Sequence, residues 1–234
     1  MDYCWNLDVF HRQCRKSAGF RSFVNIFGAE NPDFVIKAGV LEKYQGSSCE
    51  VVIPDTVSFI GEEAFRGCKG LRKVTIPNGV KEIGTNAFAE CESLESIDIP
   101  NSVTELGVYT FAHCRNLTNV ILPDNMEIKY LSGTFYGCHN LTNVKIPKGI
   151  ETFNNTFEGC KSITNITIPN SVKSMEGTFK GCKNLKQIEI PDSIIEIAND
   201  AFYELTDVEV IASKEILKKF RHNLPKQKRK GLFS

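Results

Sequence analysis

The chain has 234 residues, 41% of them hydrophobic and 24% charged, and its 28 Lys and Arg balance 28 Asp and Glu, so its formal charge is zero. That composition is ordinary for a soluble globular protein. Zero net charge favours neither nucleic acid nor a membrane as partner, and no stretch approaches the roughly 20 consecutive apolar residues of a transmembrane helix.

The N-terminus, MDYCWNLDVFHRQCRK, lacks the basic start and apolar run of a secretory signal. The expected location is therefore the cytoplasm, or the cell surface if the chain is a processed form. Residues 1–30 mix Trp5, Phe10, Phe20, Phe23 and Phe27 with Arg12, Arg15, Lys16 and Arg21, and are predicted to be mostly helix closing the first coil. Residues 33–53 read as a small hairpin leading into it.

From there the chain repeats. Cys68, Cys91, Cys114, Cys138, Cys160 and Cys182 each lie three residues after a phenylalanine and nine before a proline. Phe202 opens a seventh copy with Leu205 in the cysteine place, and the period is 22 to 24 residues. Self-similarity at such a period is the mark of a solenoid. From phenylalanine to the following proline the count is twelve in every copy up to the last, where Lys214 stands in the proline place. All length variation lies before the phenylalanine: proline to the next aliphatic residue is six, or eight in the fourth copy. That residue (Ile60, Ile83, Leu106, Leu131, Phe153, Met175, Ile197) then precedes the phenylalanine by five or four. The invariant side is expected to carry the hydrogen-bond ladder between coils, and the variable side to be loose.

Within the invariant side, pairs such as Val74/Ile76 and Ile97/Ile99 alternate with period two, which predicts one short strand per coil ended by proline. The Phe-x-x-Cys piece is predicted to be a short helical or 3₁₀ turn, with glycines such as Gly61, Gly84 and Gly107 serving turns. The reading is an α/β, β-rich coil stack of about seven parallel-stranded coils: an N-terminal cap over 1–48, a solenoid over 49–213, and a helix and basic tail over 214–234. In that last segment Ser213 is placed to N-cap KEILKKFRHNL, with Ile216, Leu217 and Phe220 toward the last coil and Pro225 as the stop. Residues 214–234 hold eight Lys or Arg against one Glu, which leaves the rest of the chain at a net −7.

Nine cysteines without a close pair do not make a zinc site. The six periodic ones read as small buried hydrophobes in a reducing compartment. The histidines at 11, 113, 139 and 222 share no phase, and no phosphate-cradling loop or paired carboxylate is recognisable, so no catalytic, metal or cofactor residue is assigned. Asn116, Asn140, Asn154 and Asn165 begin Asn-x-Ser/Thr triplets, read as a by-product of the repeat.

The consensus IPxSVxxIGxxAFxxCxxLxxVxIP closely resembles the BspA-like, or Treponema pallidum type, leucine-rich repeat over about residues 49–213. Copies four to six depart from it with LSGTF, FNNTF and MEGTF. The resemblance implies a right-handed leucine-rich repeat solenoid without enzymatic activity, bacterial in many members, some of which are surface adhesins. The sheet face, with Lys73, Thr75, Ser96, Asp98, Asn119, Ile121, Asn143, Lys145, Asn165, Thr167, Gln187 and Glu189 flanking the inner strand positions, is the candidate interaction surface. The expected function is protein interaction or scaffolding by a monomer through that face. An adhesin binding host protein or glycan is the alternative, and association of the basic tail with nucleic acid or an anionic surface is a weaker one, because no stacking aromatics are interleaved in it.

Overall fold

The computed structural model describes residues 31–225. An antiparallel hairpin of β1 (Phe34–Lys37) and β2 (Val40–Tyr44) leads into a β-solenoid of about eight turns with almost no helix. The cap predicted over residues 1–30 lies outside the described residues.

Each coil contributes two strands, not the one expected. One series is β3 (Glu50–Val52), β5 (Lys73–Thr75), β7 (Ser96–Asp98), β9 (Asn119–Ile121), β11 (Asn143–Lys145), β13 (Asn165–Thr167), β15 (Gln187–Glu189) and β17 (Glu209–Ile211). The other falls on the side predicted to be loose: β4 (Phe59–Ile60), β6 (Glu82–Ile83), β8 (Glu105–Leu106), β10 (Tyr130–Ser132), β12 (Thr152–Asn154), β14 (Ser174–Glu176) and β16 (Glu196–Ile197). Both series pair in parallel with identical registers. Each is interrupted once. The second series breaks between β8 and β10, where the fourth copy carries its two extra residues. The first breaks between β11 and β13, whose central Val144 and Ile166 are only partly buried.

The Phe-x-x-Cys segment is not a helical turn, and it is the element that runs uninterrupted. The residues two before and two after each phenylalanine from Phe65 to Phe179 take left-handed backbone, as at Glu63 (φ 55) and Gly67 (φ 72) around Phe65, or Tyr109 (φ 53) and His113 (φ 60) around Phe111. Alternate amides therefore point along the solenoid axis. Glu63, Phe65 and Gly67 donate to the carbonyls of Thr85, Ala87 and Ala89 in the next coil at 2.7–2.9 Å; Tyr109, Phe111 and His113 donate likewise to Ser132, Thr134 and Tyr136. The intervening amides close i→i+3 bonds within the turn, such as Cys68 to Phe65.

The rings stack inside. Phe65, Phe88, Phe111, Phe135, Phe157, Phe179 and Phe202 form one column with centroids 4.9–5.9 Å apart and planes within 19° of each other. Six are fully buried and Phe202 is 5% exposed, and each burial contributes roughly 1.5–3 kcal/mol. Beside them the cysteines are more than small hydrophobes. Cys91, Cys114, Cys138, Cys160 and Cys182 each donate S–H to the phenylalanine carbonyl of the preceding coil at 3.0–3.1 Å.

The spacing from the aliphatic residue to phenylalanine decides local chemistry. With five residues, Gly84 and Gly107 give their amides to the carbonyls of Ile60 and Ile83. Neither glycine has a positive φ; they are needed for space, because a Cβ on Gly107 would come within 2.3 Å of the Thr85 nitrogen. With four residues, the Thr156 hydroxyl donates to Leu131 O at 2.6 Å and the Thr178 hydroxyl faces Phe153 O at 3.4 Å.

At the far end, α1 (Lys214–Lys219) is capped by Ser213, whose hydroxyl accepts from the Ile216 amide at 3.3 Å. The helix is shorter than the 214–224 expected. Ile216 and Phe220 are buried against the last coil, but Leu217 points out and is 36% exposed, being one residue beyond the buried stripe. Asn223 ties the segment down by donating to Ile197 O at 2.8 Å.

Candidate functional site

On the first series of strands the central side chain enters the core and its two neighbours face out. Val74, Ile97 and Val120 are buried, while the flanking pairs Lys73 and Thr75, Ser96 and Asp98, Asn119 and Ile121 are exposed. All twelve residues expected on this face are exposed. They do not form one surface. Lys73 through Lys145 share a five-stranded sheet with Glu50 and Val52; Asn165, Thr167, Gln187 and Glu189 belong to a separate three-stranded sheet ending at Ile211.

Parallel register stacks equivalent side chains in columns. Asn143 Nδ2 donates to Asn119 Oδ1 at 3.0 Å, and one loop earlier Asn140 Nδ2 reaches Asn116 Oδ1 at 3.4 Å. Lys145 Nζ is held by Asp124 Oδ2 at 2.6 Å. Around these polar columns Val52, Ile121 and Ile211 stand 56%, 53% and 43% exposed, three isolated aliphatic side chains on an otherwise polar face. The Asn-x-Thr residues Asn116, Asn140 and Asn165 are exposed, whereas Asn154 donates to Glu176 Oε2 and is half-buried.

The six periodic thiols offer no nucleophile. Burial pushes the Cys68 pKa to about 11 and that of Cys182 to about 12, and holds Cys91, Cys114, Cys138 and Cys160 well above the ordinary thiol value. A thiolate is the reactive form, so these groups are inert at neutral pH. His113 is packed edge-on against Tyr136 with centroids 5.1 Å apart. Among the described residues no three His, Cys, Asp or Glu are gathered as metal ligands. No helix among them is long and apolar enough to cross a membrane.

The BspA type leucine rich repeat region model matches residues 42–156 and 153–226, with six copies. A leucine-rich repeat protein from Bacteroides ovatus superposes with a TM-score of 0.67 at 28% identity, over 76% of this chain and 49% of that one. One from Eubacterium ventriosum gives 0.64 at 32% identity, over 72% and 46%. The T. pallidum leucine rich repeat protein gives 0.52 at 27% identity, over 62% and 82%. This chain thus spans about half the length of the first two. No curated protein matches it.

Proposed function

We propose, for a chain that belongs to the BspA-type leucine-rich repeat family, that it is a non-enzymatic interaction scaffold whose partner is a protein bound across the strand face from Lys73 to Lys145. The observation that supports this is the arrangement of that face. A continuous five-stranded sheet presents uncharged amides, single charges of both signs, and the exposed aliphatic Val52 and Ile121. Such a mixture of an apolar anchor and satisfiable polar neighbours is what a modest protein interface needs. In this reading Asn165, Thr167, Gln187 and Glu189 form a second, smaller patch, and the segments before 49 and after 213 close the stack.

The experiment compares three baits in a pull-down read by mass spectrometry: the native chain, Asn119→Arg/Ile121→Arg on the face, and Glu82→Arg/Glu105→Arg on the other series of strands. Proteins retained by the native chain and the second variant but lost with the first identify the partner. Equal retention by all three baits would place the binding surface elsewhere.

A further inference from the structure

One edge of the solenoid has a different character from the face. The residue after each cysteine is exposed or half-buried, and in four successive coils it is Arg115, His139, Lys161 and Lys183. Backbone bonds fix these in register. The amides of Asn140 and Ser162 donate to Arg115 O and His139 O at 3.1 Å, and Asn184 Nδ2 donates to Lys161 O at 2.8 Å. Coils in a parallel ladder lie roughly 4.8 Å apart, so the row runs roughly 14 Å along the axis.

Several bases on neighbouring turns are neutralised. Lys69 in the first copy pairs with Glu92, Arg66 with Glu63 and Glu90, Arg72 with Glu95, and Lys180 with Glu158. Among the described residues Arg115 and Lys161 have no ion pair, and Lys183 reaches Glu204 only at 3.7 Å with both side chains half or more exposed. Partial burial and then the charges of Lys161, Arg115 and His113 hold the His139 pKa below its ordinary value. Arg115 and Lys161 thus carry two unpaired positive charges on either side of His139, with Lys183 loosely paired beyond them, on a body that is otherwise net acidic.

Its surroundings are shaped as a shelf. Two residues before His139, Lys161 and Lys183 come Gly137, Gly159 and Gly181, and a Cβ on Gly159 or Gly181 would meet only neighbouring glycine backbone and, at 3.9 Å, Glu204. His113 lies over Gly137 at one end and Glu204 closes the other. On the opposite side of the row stand Asn116, Asn140, Ser162 and Asn184.

We infer that this edge binds an extended acidic polysaccharide running along the solenoid axis, its acidic groups on Arg115, His139, Lys161 and Lys183 and its hydroxyls on the Asn and Ser row. This goes beyond the protein-binding reading and uses a different surface. Linear pyranose chains are extended and carry hydroxyls at every ring, which the amide row can meet. An extended acidic peptide fits less well, since its same-face side chains repeat at about 6.6 Å against roughly 4.8 Å here. Single-stranded nucleic acid would need a run of open aromatic faces; His113 and Tyr136 are engaged edge to face with each other, which leaves Tyr203 as a single open ring at the far end.

The test is fluorescence anisotropy with labelled heparin and polygalacturonate fragments at about 0.15 M salt, using full-length protein. Arg115→Ser/Lys161→Ser should weaken binding of the preferred fragment by about tenfold and flatten its salt dependence. Lys81→Ser/Lys148→Ser removes the same charge elsewhere and should leave binding unchanged. Lys161→Glu alone, an exposed substitution, repeats the reading should the double variant misfold. The basic tail is common to all these proteins and cancels in the comparison. Preference for heparin identifies sulfate, and preference for polygalacturonate identifies carboxylate. Equal loss in the control pair, no binding of either fragment, or tighter binding of poly-L-glutamate or oligothymidylate would each overturn the proposal.

Discussion

The coils on either side of Leu131 differ by one residue, and the difference shows how a repeat absorbs a deletion. Where the aliphatic residue lies five before phenylalanine, as at Ile83, a glycine follows it, or Ala198 in the last copy, and gives a backbone amide to the coil below. Where it lies four before, as at Phe153 and Met175, Asn154 or Glu176 takes the glycine's place within the strand, and the Thr156 hydroxyl adds a bond to Leu131 O, while that of Thr178 lies between Glu176 O at 3.2 Å and Phe153 O at 3.4 Å. Threonine is not confined to the shortened coils: Thr110 precedes Phe111 in a five-spaced coil, where its hydroxyl donates to Gly107 O of its own coil at 2.6 Å. The aromatic column passes through both kinds of coil without a change in stacking distance: 5.7 Å from Phe88 to Phe111 and 5.7 Å from Phe157 to Phe179.

Emptying that column is expected to have the largest effect and to be blind to coil type. Phe88→Ala and Phe157→Ala should each lower stability in urea by about 3–5 kcal/mol; a difference above about 1.5 kcal/mol would show that the two kinds of coil are packed unequally. Thr156→Val should cost about 1 kcal/mol, since it removes the buried hydroxyl's bond to Leu131 O, while Ala87→Thr adds a hydroxyl where Gly84 already serves the carbonyl and should not stabilise. A silent Thr156→Val would break the comparison at its centre. Cys138→Ala, at the junction of the two kinds, should cost a similar amount, about 1 kcal/mol. Alkylation of the native protein at pH 7 should modify Cys49 and Cys68 before any of the five buried thiols. The smallest effect concerns His139. Its folded pKa is depressed, so the unfolded chain binds the proton first and stability falls as pH drops below about 6.5. Comparing melts of the native chain and His139→Gln between pH 5 and pH 7.5, the variant should lose less.

Much of this was legible. Phe, Cys, Leu and Val/Ile recur at fixed offsets because each fills one column of the core, and all twelve face residues are exposed as the period-two pattern required. The second series of strands was not legible, because two or three residues with a single inward side chain, as in Glu82–Ile83, carry no alternation to read. Nor was the continuous ladder at the Phe turn. Its left-handed positions are held by Glu63, Glu90, Tyr109 and His113 as well as by glycine, and these residue types do not announce such backbone. Leu217 misled because apolar residues at 216, 217 and 220 suit a helix face broader than the one α1 buries. The basic row was hidden by distance, its members lying 22 to 24 residues apart and becoming visible only when the copies are aligned on their cysteines.

The ladder at the Phe turn has one more consequence, and it concerns symmetry. Its amides all face the C-terminal end and its carbonyls all face back, so the peptide dipoles add there as in a helix and do not cancel as in an ordinary sheet. The row therefore ends in donors at Phe202 and Glu204 and begins with acceptors. Donors cannot pair with donors, so two copies cannot join through this edge about a two-fold axis. The only self-association it permits is head to tail, which does not close on itself unless the rotation makes a ring. A copy meeting the donors at Phe202 and Glu204 would have to present its N-terminal acceptors, and repetition of that contact would build a filament.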